Sequence, residues 1–195
     1  MRPIVRSPLN FTAAEKRMST LCRHVVVDVE TTGLSPRHGH RVIEIGAVAL
    51  EKGAVVEEFT TLIDAGVRIP PEVQAIHGIT EEMLEGQPTP EEVLPCFYGF
   101  IAGSVLIAYN AAFDILFLRH EFARLNLGLP HRHLCTLEMS RRRFPRLADH
   151  TLETVYLHLF PDADFLRQSH RALDDARMTA QIWLTMEGWV SMSGS

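Results

Sequence analysis

The chain has 195 residues and a formal net charge of −5, with 46% hydrophobic and 22% charged residues. This composition excludes disordered and collagen-like proteins, and the length fits one α/β domain better than two. No apolar stretch approaches the roughly 18 residues of a membrane span, and Met1 to Phe11 lacks the apolar core of a secretory signal. With three widely spaced cysteines and no Cys-x-x-Cys pair, we expect a soluble, cytoplasmic protein with reduced thiols.

The predicted elements begin with a strand that follows an N-terminal leader. We expect residues 1–21 to form this leader, either as a loose segment or with a short helix from Thr12. Residues 22–189 are expected to form the folded domain and residues 190–195 a C-terminal tail. Val25 to Val29 is rich in β-branched residues, which is typical of a central strand buried on both faces. The sheet is therefore expected to be built around this strand.

Two carboxylates lie where this first strand ends. Residues two apart in a strand point to the same side, so Asp28 and Glu30 are expected to project from one face. Two neighbouring anions repel unless a cation lies between them, and hard oxygen ligands suit Mg²⁺ or Mn²⁺ better than zinc or copper. The alternative is a solvated strand end with two incidental acids, which is the more frequent outcome for an isolated Asp-x-Glu motif.

A hairpin of two further strands follows. Arg41 to Leu50 and Ala54 to Ile63 have strand-forming composition, and Glu51 to Gly53 supplies the turn between them. In the first of these strands, alternate residues are expected on opposite faces: Val42, Glu44 and Gly46 on one, Ile43, Ile45 and Ala47 on the other.

Capping residues, prolines and glycines delimit the remaining elements. Strands are expected at Ser104 to Ala108 and at His133 to Thr136. Helices are expected at Pro70 to Gly78, from Thr80, at Thr89 to Gly103, Asn110 to Gly128, Leu137 to Arg143, Leu152 to Leu159 and Ala172 to Gly188. Together these elements predict an α/β fold in one domain, with a mixed five-stranded sheet and helices on both faces.

Two later acids are further candidates for a functional site. Asp114 lies in the first turns of a helix after a strand, near the positive end of the helix macrodipole, where an acid also serves simply as a dipole partner. Asp175 lies beside the small residues Ala172 and Ala176, which leave room for another backbone or a metal. His170 is five residues before Asp175, about 140° around a helix, so both reach one site only if His170 precedes the helix.

Three segments together resemble the motifs of the DnaQ-like, DEDDh-type 3′-to-5′ exonucleases, as in the exonuclease domain of DNA polymerase III epsilon subunits. One such motif is weak evidence, but three in order are specific. The similarity also includes Ile76 to Thr80 and extends over about Arg23 to Glu187. It implies a ribonuclease H-like sheet, two Mg²⁺ or Mn²⁺ ions and stepwise removal of 3′-terminal nucleotides. The three segments are Asp28-Val29-Glu30-Thr31-Thr32-Gly33, Tyr109-Asn110-Ala111-Ala112-Phe113-Asp114 and His170-Arg171-Ala172-Leu173-Asp174-Asp175.

The resemblance implies roles for particular residues. The implied metal ligands, which with the histidine form the catalytic set, are Asp28, Glu30, Asp114 and Asp175. His170 is the implied general base, which takes a proton from the attacking water while two ions clamp the attacking and leaving oxygens. Positions where relatives contact the terminal nucleotide are occupied by Thr31, Gly33, His77, Asn110 and Phe113.

The expected substrate is the 3′ end of a single-stranded nucleic acid, with nucleoside monophosphates as products. DNA is favoured over RNA, proofreading is the expected setting, a DNA polymerase is the expected partner, and no membrane is involved. An RNA-trimming exoribonuclease is the enzyme alternative, although Thr32 stands where the oligoribonuclease branch typically has methionine. A catalytically silent nucleic-acid-binding module is the other alternative, and four mutually repelling carboxylates argue against it.

Some features depart from the family or have an ordinary interpretation. Tyr109 stands where many relatives have histidine, and the chain ends seven residues after Gly188, so we expect no long polymerase-binding tail. Arg141 to Arg143 with Arg146 favours a solvated helix face over a track for a phosphate backbone. His131-x-His133-x-Cys135 lacks a fourth partner, which disfavours a zinc site.

Overall fold

The computed structural model describes residues 23–162 and 171–188, which contain a five-stranded mixed sheet. The predicted leader with its helix from Thr12, His170 and the predicted tail lie outside these residues. The strands are β1 His24–Thr31, β2 Val42–Glu51, β3 Ala54–Leu62, β4 Val105–Ala108 and β5 His133–Cys135. The helices are α1 Pro71–His77, α2 Glu81–Leu84, α3 Pro90–Phe100, α4 Ala111–Arg124, α5 Thr136–Arg143, α6 Leu152–Leu159 and α7 Ala172–Met186.

β1 lies at the centre of the sheet, whose strand order is β3-β2-β1-β4-β5. It pairs antiparallel with β2, where Asp28 is opposite Gly46 and Glu30 is opposite Glu44. It pairs parallel with β4, and β4 pairs parallel with β5. Because β1, β4 and β5 run in the same direction, their carboxyl ends meet at one edge, which is where ligands bind in open α/β sheets.

Helices cover both faces of this sheet, as the sequence predicts. Val25 and Val27 belong to the apolar cluster that α3 and α4 form on one face. Val26 points the other way, into a cluster with Trp183 of α7. Since side chains alternate along a strand, Asp28 and Glu30 project from the α7 face.

Local sequence signals account for most helix ends. The capping box formed by Thr89 and Glu92 begins α3, and Gly78 ends α1 in a left-handed conformation with φ of 71°. The prediction that α4 reaches Gly128 is wrong, because the helix ends at Arg124 and Asn126 turns left-handed with φ of 57°. Within the described residues, no helix combines the length and the apolarity that crossing a membrane requires.

A β-bulge changes one predicted side-chain direction in β2. The pairing shifts between Glu30 opposite Glu44 and Thr31 opposite Val42, which leaves Ile43 as an extra residue. Val42 therefore packs with Ile45 in the α3–α4 cluster instead of sharing a face with Glu44. The simple alternation that the sequence predicts holds only beyond the bulge.

Gly46 lets α7 lie directly on β2, and this contact generates a test. A Cβ atom at Gly46 would overlap the backbone of Ala172 and Leu173. We expect Gly46→Ala to lower the free energy of unfolding by about 1–3 kcal/mol, because overpacking at a fixed backbone contact forces the helix away from the sheet. Urea denaturation of the full chain measures this change.

Gly99→Ala is the matched control for this test. Gly99 is an exposed residue inside α3, and a Cβ there meets no atom within 4 Å. This control should gain about 0.5–1 kcal/mol, because alanine restricts the unfolded chain more than glycine does. Equal stability of both variants would contradict the close contact at Gly46.

Candidate active site

The end of β1 and the first turn of α7 bring three carboxylates together. Asp28 and Glu30 come from β1, and Asp175 comes from α7. Their side chains each offer an oxygen that lies within 4.8 Å of the other two. Across residues 23–162 and 171–188, no other group of three or more His, Cys, Asp or Glu side chains has ligand atoms this close. His131, His133 and Cys135 are thus not such a group.

Asp114 lies next to this trio without belonging to the 4.8 Å group. It is in the first turn of α4 and only 3% exposed. Its Oδ1 accepts a hydrogen bond from the Val29 backbone N–H at 3.2 Å. This bond fixes the carboxylate against β1, because Val29 is the residue between Asp28 and Glu30. The structure thus gathers the four predicted acids at the carboxyl edge of the sheet.

Burial and mutual repulsion make ionisation of these acids costly. Burial is the largest cause that raises the pKa of Asp28 well above its usual value, and the charges of Asp114, Asp175 and Glu30 add to it. Burial, followed by the charge of Asp175, raises the pKa of Glu30 to about 8. Burial also raises the pKa of Asp114 to about 7, although the backbone hydrogen bond from Val29 opposes the shift.

The donor set fits a hard divalent cation. The charge of Arg171 lowers the pKa of Glu30, but this effect is smaller than those of burial and the neighbouring acids. Arg171 also already binds Glu44. A divalent ion among the carboxylate oxygens relieves the remaining repulsion, and oxygen ligands alone suit Mg²⁺ or Mn²⁺.

Glu44 has a structural role beside the acids that its position in the sequence does not reveal. It is 1% exposed, and its carboxylate accepts hydrogen bonds from Arg171 Nε at 3.0 and 3.1 Å and from the Ala172 backbone N–H at 3.1 Å. Ala172 begins α7, so Glu44 holds the helix end that presents Asp175. The available signal was an acid inside an apolar strand, because a buried carboxylate needs a cationic or hydrogen-bonding partner.

The residues expected at the terminal nucleotide have different environments. His77 is 2% exposed, and its Nδ1 accepts the Ile79 backbone N–H at 3.0 Å, which leaves the proton on Nε2. Burial lowers the pKa of this imidazole, while its interaction with the Thr31 backbone has the smaller, opposite effect. The Thr31 hydroxyl donates to the Gly33 carbonyl at 2.7 Å and is therefore already engaged.

Asn110 and Phe113 lie at the start of α4, beside Asp114. Asn110 is exposed and precedes the helix, and its side chain makes no capping hydrogen bond. Phe113 is half-buried and packs on Phe117 with a 4.9 Å distance between ring centroids. Both side chains therefore have a free surface next to the acids.

Two further residues shape the surroundings. His40 lies over Gly33, since a Cβ there would overlap the imidazole ring. The sequence left the role of Tyr109 open. Its hydroxyl lies 2.8 and 3.0 Å from the carbonyl oxygens of His150 and Thr151, and burial raises its pKa to about 12. Tyr109 therefore ties the loop before α6 to the end of β4.

Sequence comparison relates this chain to an exonuclease family and to DNA polymerase III proteins. A family model described as RNase_T, exonuclease, matches residues 25–183. The chain is 41% identical to DNA polymerase III PolC-type of Clostridium perfringens over 82% of its length, but spans 11% of that protein. It is 36% identical to the DNA polymerase III epsilon subunit of Aquifex aeolicus, covering 82% of this chain and 78% of that one. The chain thus spans about a tenth of the PolC-type relatives and most of the epsilon subunit.

Solved structures share the fold. Exonuclease X in complex with 5′ overhanging duplex DNA superposes with a TM-score of 0.69 at 26% identity, over 87% of this chain and 95% of that one. Exonuclease I of E. coli in complex with single-stranded DNA gives a TM-score of 0.73 at 16% identity, over 84% of this chain and 40% of that one. At this lower identity the second match shows the fold alone.

The raised pKa values predict how stability changes with pH in the absence of metal. Below about pH 4 the carboxyl groups of Asp28, Glu30 and Asp114 hold their protons in both the folded and the unfolded states. Above it the unfolded chain releases them first, because the pKa of Glu30 is 4.5 when unperturbed and about 8 when folded. We expect the free energy of unfolding in chelator to fall by about 2 kcal/mol or more between pH 5 and 8, since one pKa unit corresponds to about 1.4 kcal/mol.

The control for this prediction is Asp28→Asn combined with Glu30→Gln. This variant lacks the two repelling charges, so its stability should depend much less on pH over the same range. Saturating Mg²⁺ or Mn²⁺ should stabilise the wild-type chain at pH 8 but not the variant. If the free energy of unfolding depended on pH identically in both proteins, ionisation of Asp28 and Glu30 would not be what destabilises the fold.

Proposed function

Because this chain belongs to the exonuclease family whose model matches residues 25–183, we propose that it is a metal-dependent 3′-to-5′ exonuclease. It removes nucleoside monophosphates stepwise from the 3′ end of single-stranded DNA. The observation that carries this proposal is the convergence of Asp28, Glu30 and Asp175 within 4.8 Å, with Asp114 adjacent. Four carboxylates gathered at one edge of the sheet supply the oxygen ligands of a metal site, whereas a passive nucleic-acid-binding module would gain nothing from their mutual repulsion.

The proposed metal ligands are Asp28, Glu30, Asp114 and Asp175. Two bound Mg²⁺ or Mn²⁺ ions supply stabilisation of the charge that develops on the attacking and leaving oxygens of the phosphodiester. The chain's own contribution is to hold the ligands in place. Glu44 and Arg171 fix the start of α7, and the Val29 N–H fixes Asp114.

We also propose roles for residues around the acids. His170, outside the described residues, directly precedes Arg171 and acts as the general base that removes a proton from water. His77 lies behind Thr31 in the proposed nucleotide site, and the Ile79 N–H fixes its tautomer. Thr31 and Gly33 shape the floor of the nucleotide site.

Asn110 and Phe113 complete the proposed nucleotide site. Asn110 offers an exposed amide, and Phe113 offers a ring face on which a base can stack. Asn110 directly precedes α4, and Phe113 lies in its first turn just before Asp114. A terminal nucleotide bound to these two residues would therefore have its phosphate beside the acids.

The proposed setting follows from the relatives. Matches to DNA polymerase III PolC-type and to epsilon subunits support a proofreading role, with a DNA polymerase as partner and the cytoplasm as the location. We assign the exonuclease domain to residues 22–189, with 1–21 as leader and 190–195 as tail. DNA is the proposed substrate because the first motif has Thr32 rather than methionine.

End-labelled DNA and RNA oligonucleotides of identical sequence test the function. With Mg²⁺ or Mn²⁺ we expect a ladder of DNA products shortened from the 3′ end, release of nucleoside 5′-monophosphates and slower shortening of RNA. Chelator should stop the reaction, because the acids alone cannot stabilise the developing charge. Faster degradation of RNA would support the exoribonuclease alternative, and no shortening with either cation would overturn the proposal.

Asp175→Asn tests the proposed metal site, with Asp174→Asn as a matched control. Asp175 belongs to the acidic trio, whereas Asp174 binds Arg177 at the surface with a 3.1 Å contact. We expect near-total loss of turnover and of metal-induced thermal stabilisation in Asp175→Asn, with both retained in Asp174→Asn. Similar turnover in the two variants would remove Asp175 from the metal site.

A further inference from the structure

Three exposed arginines lie together at the end of α5 and in the loop that follows. Arg141 and Arg143 are in the last turn of the helix, and Arg146 lies three residues beyond it. We call these three residues the arginine patch. Arg142 differs from them, because it pairs with Glu138 across one helical turn at 3.5 Å.

The patch has positive charge that the described residues do not neutralise. None of its three guanidinium groups has an ion pair within residues 23–162 and 171–188. By contrast, Arg41 and Arg171 are bound to the buried acids Glu121 and Glu44. The other described arginines without a described ion pair, such as Arg124, are more widely spaced, whereas the patch concentrates three charges within six residues.

The patch is on the same side of the molecule as the acids. Val26 pairs with Ile107, and Ile107 pairs with Leu134, so continuing this register places Asp28 level with the residue that begins α5. Two strand spacings separate them, which is ~10 Å. Arg141 is five residues further along the helix, which adds at most ~8 Å, so the patch begins within ~20 Å of Asp28.

Packing of α5 supports this placement. Met139 of α5 contacts the apolar cluster that contains Ala176 and Ala180 of α7, the helix that carries Asp175. The charge of Arg141 also lowers the pKa of Tyr109, the residue before Asn110. The last turn of α5 is therefore tied to the elements that hold the acids and the proposed nucleotide site.

The ordinary explanation covers only part of the patch. Arginines in a last turn stabilise a helix by about 0.3–1 kcal/mol each through the macrodipole, which accounts for Arg141 and Arg143. Arg146 lies beyond the helix end at Arg143 and makes no such contribution. A solvated helix face, which the sequence favours, also does not explain why the cluster continues into the loop after the helix.

We infer that Arg141, Arg143 and Arg146 bind the phosphate backbone of the strand whose 3′ end lies at the acids. This inference rests on the proposed function and names the path of its substrate. At a stacked rise of about 3.4 Å per nucleotide, ~20 Å corresponds to about six nucleotides. Binding is independent of base sequence, because the contacts are to phosphates.

The test compares the full-length wild-type chain with R141Q/R143Q/R146Q. Fluorescence anisotropy with a 5′-labelled 12-nucleotide DNA in chelator measures affinity at several salt concentrations. We expect 12-mer affinity to weaken about 10- to 100-fold, and the slope of log K against log salt to become shallower by about 2, since each phosphate contact on a single strand contributes about 0.7. An RNA 12-mer should lose affinity similarly, because its backbone carries the same charge.

Activity adds a length-dependent readout. With Mg²⁺, the ratio of kcat/KM for the 12-mer to that for a dinucleotide should fall in the triple variant, because a dinucleotide cannot reach the patch. R146Q alone changes no helical residue, and we expect it to reduce the salt slope by about 0.7. If thermal unfolding shows that the triple variant is destabilised, the salt slope of this single variant decides the test.

R119Q/R124Q/R132Q is the matched control. It removes three exposed arginines, two of which lie at the amino edge of the sheet, away from the acids. We expect it to bind the 12-mer with nearly wild-type affinity and salt slope. If wild type shortens DNA but the patch and control variants bind alike, this inference alone is overturned. If wild type shortens no oligonucleotide, the proposed function is overturned and this inference with it.

Discussion

Repulsion among partly buried carboxylates is the constraint on which the rest of this structure depends. Asp28, Glu30 and Asp175 lie within 4.8 Å of one another, and Asp114 adds a fourth charge nearby. Burial and this repulsion hold the pKa values of Asp28, Glu30 and Asp114 well above their usual ranges. Ionisation of groups held this close together lowers the stability of the fold, and a bound divalent cation raises it again.

The rest of the structure prevents these side chains from separating. Glu44 and Arg171 join β2 to the start of α7 through a buried ion pair, and Glu44 also accepts the first N–H of the helix. The absence of a side chain at Gly46 lets that helix rest on the strand. On the surface, Arg177 joins α7 to Glu58 of β3. Contacts on both sides of the helix start therefore hold the segment that carries Asp175.

Charge around the site is arranged unevenly. The pocket itself is acidic and repels phosphate unless metal is present, whereas the arginine patch attracts phosphate at a distance. In the proposed function, this separation lets the arginine patch hold a nucleic-acid strand along its backbone while cleavage of the last phosphodiester depends on bound cations. Under the proposed function, a chain with a net charge of −5 thus still has a local surface that attracts a polyanion.

The sequence alone determined the element order, the central strand, most helix ends and the identity of the acids, because these depend on period, capping and short motifs. It did not determine where Ile43 bulges, why α4 stops at Arg124 or that Asn110 forms no side-chain cap, since these depend on pairing between strands and on local backbone geometry. The roles of Glu44 and Gly46 became visible only when β2 met α7. A residue about 130 positions away supplies the partner in each case, and only tertiary contact reveals it.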